Sequence, residues 1–171
     1  MRKLSSWKMT EATNSFDGEK IMEYRIATEK DIDTLCELRK KQLIDEGTTP
    51  DINIDEELHG FFQKKFKNDE LVEWVLDDDG EIVATCAILF YEFPPSFTNK
   101  SGVKGYITNV YTKPELRGNG IATKMLGFLT EEAKKRGVKK LLLAASSMGR
   151  PVYKKFGFIE ASEWLKLDNF N

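Results

Sequence analysis

The sequence predicts a mixed α/β layered domain, and three observations carry that prediction. Strand-length apolar stretches and helical-period stretches succeed one another in the order β-α-α-β-β-β-α-β-α-β, without an internal repeat. A chain of 171 residues is long enough for one compact domain with a substantial core and too short for two ordinary ones. Hydrophobic residues at 40% and charged residues at 32% are globular values.

Residues 1–21 hold only scattered Leu4, Trp7, Met9 and Phe16 among polar groups, so a poorly ordered extension is expected, with a short helix docked through Trp7 as the other reading. The domain then runs over residues 22–171. Met22 stands directly before the first strand, Tyr24 to Ala27, and is a candidate natural start. Thr28 with Asp31 three residues on reads as a helix N-terminus, followed by Ile32, Leu35, Cys36, Arg39 and Leu43 at helical spacing until Gly47. A second helix follows Asp55, with Leu58, Phe61, Phe62 and Phe66 on one face. His59 on that helix is the single histidine, and a lone helix histidine reads as a surface or cap residue.

Leu71 to Leu76 and Glu81 to Tyr91 flank Asp77-Asp78-Asp79-Gly80, a hairpin whose Asp-Gly supplies positive φ and whose acidic tip reads as solvated. It lacks the ligand spacing of a calcium loop, and no metal is expected. Phe93-Pro94-Pro95-Ser96-Phe97 breaks all periodicity and opens a loop to Lys104. Gly105 to Thr112 is the fourth strand, Pro114 ends its ladder, and an amphipathic helix begins at Gly120 with Ile121, Ala122, Met125, Leu126, Leu129 and Ala133 on one face. Leu141 to Ala145 reads as a fifth strand buried on both faces, and Arg150 to Phe156 as a helix with Pro151 in its first turn. One or two closing strands are expected over Ile159 to Leu167.

The strand-loop-helix at residues 105–122 carries the chemistry. Arg117, Gly118 and Gly120 stand where the first amides of a helix lack partners and its dipole favours negative charge, which makes an anion seat with an added cation. Arg117-x-x-Gly120-x-Ala122, about thirty residues before Tyr153-Lys154-Lys155-Phe156-Gly157-Phe158, resembles the signature of the Gcn5-related N-acetyltransferases over roughly residues 22–168. A dinucleotide-binding reading fares worse, because there is no Gly-x-Gly-x-x-Gly on a first strand.

The resemblance implies a mostly antiparallel mixed sheet of six to seven strands with about four helices, the fourth strand bulged and splayed from the fifth. It implies acetyl-coenzyme A as co-substrate. The pyrophosphate would meet Arg117, Gly118, Asn119, Gly120, Ile121 and Ala122, and the pantetheine arm Val110, Tyr111 and Thr112. Ser146, a further expected cofactor contact, stands where many relatives have Asn, and Gly149-Arg150-Pro151 replaces a usual alanine-containing turn. A main-chain N–H near Val110 becomes the oxyanion donor and Tyr153 the acid for the departing thiolate, its ordinary pKa of ~10 keeping it protonated. The other reading of Tyr153 is packing.

The fourth strand holds no glutamate, so the base is left to Glu92, Asp45 or Glu46 acting through water, or these are surface carboxylates that tune acceptor binding. Glu46, Phe93 and Tyr106 are the candidate acceptor contacts. The expected acceptor is a small-molecule primary amine. The alternatives are a protein or peptide amine, a longer acyl group, or a non-catalytic coenzyme A-binding module.

A net charge of -2 from 26 basic and 28 acidic side chains gives no support to a nucleic-acid partner. No apolar run approaches the ~20 residues of a membrane span, and residues 1–20 lack the core of a secretion signal. Cys36 and Cys86, each in an apolar pattern, read as buried free thiols. A cytoplasmic protein is expected, with no membrane partner, and a homodimer is compatible with this reading.

Overall fold

The computed structural model describes residues 22–161 together with Leu165 and Leu167. One sheet has the order β1-β2-β3-β4-β5, formed by β1 Met22–Ile26, β2 Leu71–Asp78, β3 Glu81–Glu92, β4 Val103–Thr112 and β5 Leu141–Leu142. The first four strands are antiparallel neighbours, and β5 runs parallel to β4. The helices are α1 Ile32–Asp45, α2 Asp55–Lys67, α3 Ile121–Lys135 and α4 Arg150–Phe156. The predicted order of elements is therefore the observed one through α4.

Alternation along the strands divides the apolar residues between two layers. On one face Val72, Leu76, Ile88 and Ile107 pack with Met125, Leu126 and Leu129 of α3 and Tyr153 of α4. On the other, Val75, Ala87 and Tyr111 pack with Leu35 and Leu38 of α1 and Phe62 of α2. Met125 and Leu129 have no exposed surface, and burying such a side chain contributes about 1.5–3 kcal/mol. A helix thus covers each face, and β4 and β5 bring the functional stretches to one edge between the layers.

The β2–β3 hairpin closes on Asp79 (φ 53) and Gly80 (φ 88), the two positive-φ positions of a type I′ turn. Asp79 and Gly80 at its tip are exposed, as expected, but the acidic residues before them are not all solvated. Asp78 is buried, and Asp77 accepts a bond from Arg25 Nε at 2.9 Å, because β1 lies alongside and places that guanidinium over the hairpin. The same guanidinium grips both oxygens of Asp31, whose carboxylate also accepts from the Thr28 amide, so the predicted capping pair closes a short 3-10 turn ahead of α1. Cys36 and Cys86 are buried free thiols, as expected.

Three expectations need correction. Among the described residues the sheet has five strands, not six or seven. Ile159 to Ala161 are not in a strand, and most of the remaining closing segment lies outside the described residues, as does the expected extension at 1–21. The fifth strand is two residues long and half-buried rather than continuous and enclosed, since Leu141 and Leu142 pair with Gly105 and Tyr106 and the chain then leaves β4. Among the described residues no helix is long and apolar enough to cross a membrane.

Candidate active site

The edge of β4 changes its facing partway along, and this creates the site. The β3–β4 register runs Ala87 to Thr108 and then Thr85 to Tyr111, so Asn109 and Val110 together stand opposite Cys86. That is a β-bulge, with Asn109 at φ 51. Before it, Gly105 donates its amide outward to Lys140 O; after it, Lys113 donates inward to Val83 O. The bulge has reversed the parity, so Val110 and Thr112 now turn their backbone groups away from β3. Pairing with β5 ends at Tyr106, so these groups border an opening rather than another strand.

Below the opening, Pro114–Leu116 form a single 3-10 turn and Gly118 (φ 83) and Gly120 (φ 74) lead into α3. These dihedrals suit glycine, and the space where a Cβ would stand is empty at both positions, leaving room for a ligand to approach the backbone. Asn119 does not line the cleft; its Nδ2 donates to Leu116 O at 3.1 Å and closes the loop. Arg117 is already engaged. Its Nε donates to Thr112 O at 2.9 Å and its terminal nitrogen pairs with Asp45 at the end of α1, so the guanidinium ties the loop to that helix.

Across the opening, α4 presents Tyr153. Its hydroxyl is pushed above the ordinary phenol range, first by burial and then by the proximity of Cys86, Glu46 and Tyr106. It therefore holds its proton at neutral pH, and among the described residues it has no hydrogen-bond partner. Gly149 makes this placement possible. A Cβ there would stand 2.8 Å from Tyr153 Cε2 and 3.3 Å from Ser146 Oγ, so the turn before α4 must be side-chain-free. Ser146 Oγ accepts the Gly149 amide at 3.2 Å and holds that turn.

The resulting cleft measures about 540 Å³. Of the residues predicted from sequence it brings together Glu46, Val110, Tyr111, Thr112, Arg117, Gly118, Gly120, Ile121, Ala122, Ser146 and Tyr153. Tyr106 lines a neighbouring cavity of about 550 Å³ with Tyr91 and Leu142, and Tyr153 is the wall common to both. Glu92 and Phe93 line neither. They lie at the far end of β3, where Glu92 pairs with Val103, while the cleft begins at the bulge opposite Cys86. Phe93 instead packs on Tyr91 at 5.4 Å and under Lys104 Nζ at 3.9 Å.

Gln42, Asn109 and Glu73, in or behind the cleft, are among the residues the sequence reading did not single out, and Gly149 was noted only for its turn. Gln42 is buried and donates its Nε2 to Glu46 Oε1 at 3.0 Å, which fixes that carboxylate; its spacing of one helical turn from Glu46 was the available signal. Gly149 carried a signal only as a departure from the usual turn. Asn109 and Glu73 carried none, since their pairing spans 36 positions. Glu73 is fully buried, and burial pushes its carboxyl up to about 8, with the Asn109 bond and the Arg39 charge pulling the other way.

The acetyltransferase (GNAT) family model matches residues 32–158. A predicted acetyltransferase of Clostridium acetobutylicum, solved with acetyl-CoA, is 55% identical with a TM-score of 0.84, over 86% of this chain and 96% of that one. Thialysine N-epsilon-acetyltransferase of Bos taurus is 28% identical over 149 residues, 82% of this chain and 87% of that protein. Glucosamine 6-phosphate N-acetyltransferase of Trypanosoma brucei brucei is 29% identical over 89 residues, 52% of this chain and 58% of that protein, so this match spans little more than half of its length.

Proposed function

Since the chain belongs to the GNAT acetyltransferase family, we propose that its cleft transfers the acetyl group of acetyl-CoA directly to the primary amine of a small molecule. The observation that carries this reading is convergence. One cleft joins open glycine backbone at a helix N-terminus, an outward-turned strand edge and a protonated phenol. The residues fit the co-substrate: Gly118 and Gly120 leave their Cβ space free at the anion seat, and the β4 edge at Val110, beyond the pairing with β5, faces no strand and is open to an amide-bearing arm.

Acetyl-CoA supplies the thioester whose carbonyl carbon the amine attacks. The amides of residues 118–122 hold the pyrophosphate, with Arg117 anchoring the loop to Asp45 rather than acting alone as its cation. The Val110 amide donates to the carbonyl oxygen as negative charge builds there. Tyr153 gives its hydroxyl proton to the sulfur as the C–S bond breaks. Glu46, held by Gln42, attracts the ammonium form of the acceptor and receives the proton the nitrogen loses, directly or through water. Both named relatives among the curated proteins act on small amines by their names, which favours that acceptor class over a polypeptide.

Thiol release from acetyl-CoA across a panel of primary amines tests the reading. Turnover with a small cationic amine is expected. Acetyl-CoA binding without thiol release on any amine, small or peptidic, would overturn it in favour of a non-catalytic binding module.

A further inference from the structure

Behind the Val110 amide lies a buried polar pair that the transfer chemistry does not touch. Asn109 Nδ2 donates to Glu73 Oε2 at 3.2 Å, and Thr85 Oγ1 donates to the Asn109 carbonyl at 2.7 Å. All three residues are buried, with Glu73 at 1%, Thr85 at 3% and Asn109 at 5% exposure. Glu73 stands on β2 and Asn109 on β4, with β3 between them. The register places Ala87 beside both Glu73 and Thr108, and this small residue leaves the space through which the glutamate reaches across. A glutamate in a sheet interior is costly unless its oxygens are used, so this arrangement needs a compensating role.

The compensation lies in the backbone. Asn109 has φ 51, a left-handed conformation that asparagine tolerates better than most residues but that still competes with the extended form. Were it to relax, the parity of β4 would revert and Val110 would turn its amide back toward β3. We propose that Glu73 is a positioning residue that, through Asn109, locks the β4 bulge and so aims the Val110 amide into the cleft. Thr85 secures the carbonyl of the same residue, so the bulge is held from its side chain and from its backbone at once. The inference rests on the acyl-transfer reading, in which that amide meets the reacting carbonyl.

The test compares Glu73→Gln, Glu73→Met and Asn109→Gly by thiol-release kinetics, acetyl-CoA calorimetry and hydrogen exchange over residues 108–112. Glutamine keeps an oxygen for the Asn109 amide, and its kcat should stay within about twofold of wild type. Methionine keeps the bulk but not the acceptor, and kcat should fall about tenfold or more while the acetyl-CoA Kd moves less than about threefold, with faster exchange over 108–112. Asn109→Gly permits the positive φ yet loses the bond, and gives an intermediate loss should the methionine variant fail to fold. A purely structural role would lower the melting temperature and leave kcat unchanged below it. Wild-type kcat in Asn109→Gly, or a glutamine variant as impaired as methionine, would overturn the proposal. If no amine turns over even with the wild-type protein, the acyl-transfer reading fails separately, and unchanged exchange over 108–112 would then count against the lock itself.

Discussion

The glycine loop at residues 113–122 and the bulge at Asn109 and Val110 are adjoining walls of one cleft, and they are built in opposite ways. The loop is largely exposed, its glycines have open space around them, and its turn is closed locally by the Asn119 to Leu116 bond, while exposed Arg117 reaches Asp45, 72 positions away, at the surface. The bulge is buried and is held by side chains 24 and 36 positions away. A surface that receives charge can be made from local dihedrals and free amides. A group that must be aimed needs bracing from several strands, because only packing in the interior fixes a direction closely.

The comparison predicts that loop changes act on co-substrate binding and that changes on the braced side act on turnover. The largest effect should come from Gly120→Glu, which puts a side chain at φ 74 and a negative charge on the anion seat. Acetyl-CoA affinity measured by calorimetry should drop more than about 10²-fold with the melting curve still cooperative. Unchanged binding in the folded variant would remove the loop from the site. Tyr153→Phe should leave that affinity intact and lower kcat by about 10²-fold, the lower range for a general acid. Turnover equal to wild type would make Tyr153 a packing residue.

Gly149→Ala probes the bracing by pressing on the Tyr153 ring while leaving its hydroxyl in place. The added methyl meets the Tyr153 ring at 2.8 Å, so kcat should fall by roughly tenfold, with a loss of about 1–3 kcal/mol from overpacking. An untouched kcat would mean that Ser146 and the turn shift to accommodate the methyl and that Gly149 does not fix the Tyr153 ring. Stability against pH should report the buried glutamate. Its folded-state value of about 8 lies above the ordinary 4.5, so the folded protein binds the extra proton between them. Stability should therefore fall as pH rises across that window, by up to about 1.4 kcal/mol per pH unit, and level off above it. Chemical denaturation of Glu73→Gln should show that slope removed. The smallest effect is expected from Gly118→Ala, where nothing stands near the new methyl and only the positive φ resists, a cost of ~1 kcal/mol and about fivefold in acetyl-CoA affinity. A larger loss would mean that the ligand itself fills the space beside Gly118.

What could be read without coordinates follows the same division. The order of elements, the type I′ hairpin at Asp79-Gly80, the amphipathic face of α3 and the anion loop all express rules that act over a few residues, namely side-chain period, turn dihedrals and helix ends. Tyr153 was singled out only by the resemblance of its motif to that of a known family, and it lines the cleft. Asp78 misled because an acidic turn reads as solvated until a neighbouring strand covers it, and Glu92 and Phe93 misled because adjacency along β3 is not adjacency in space. Arg117 presented itself as a cation for phosphate, yet Asp45, on another element, already engages it. The bulge parity, the Glu73 to Asn109 bond across an intervening strand and the requirement for glycine under the Tyr153 ring exist only once β2, β3, β4 and α4 are assembled. The sequence by itself determined the elements and the glycine loop proposed to receive the phosphates, because those depend on local conformational preference. Which backbone amide faces the cleft, and which carboxylate is close enough to matter, was decided by tertiary structure, because direction and proximity arise from contacts between residues far apart in the chain.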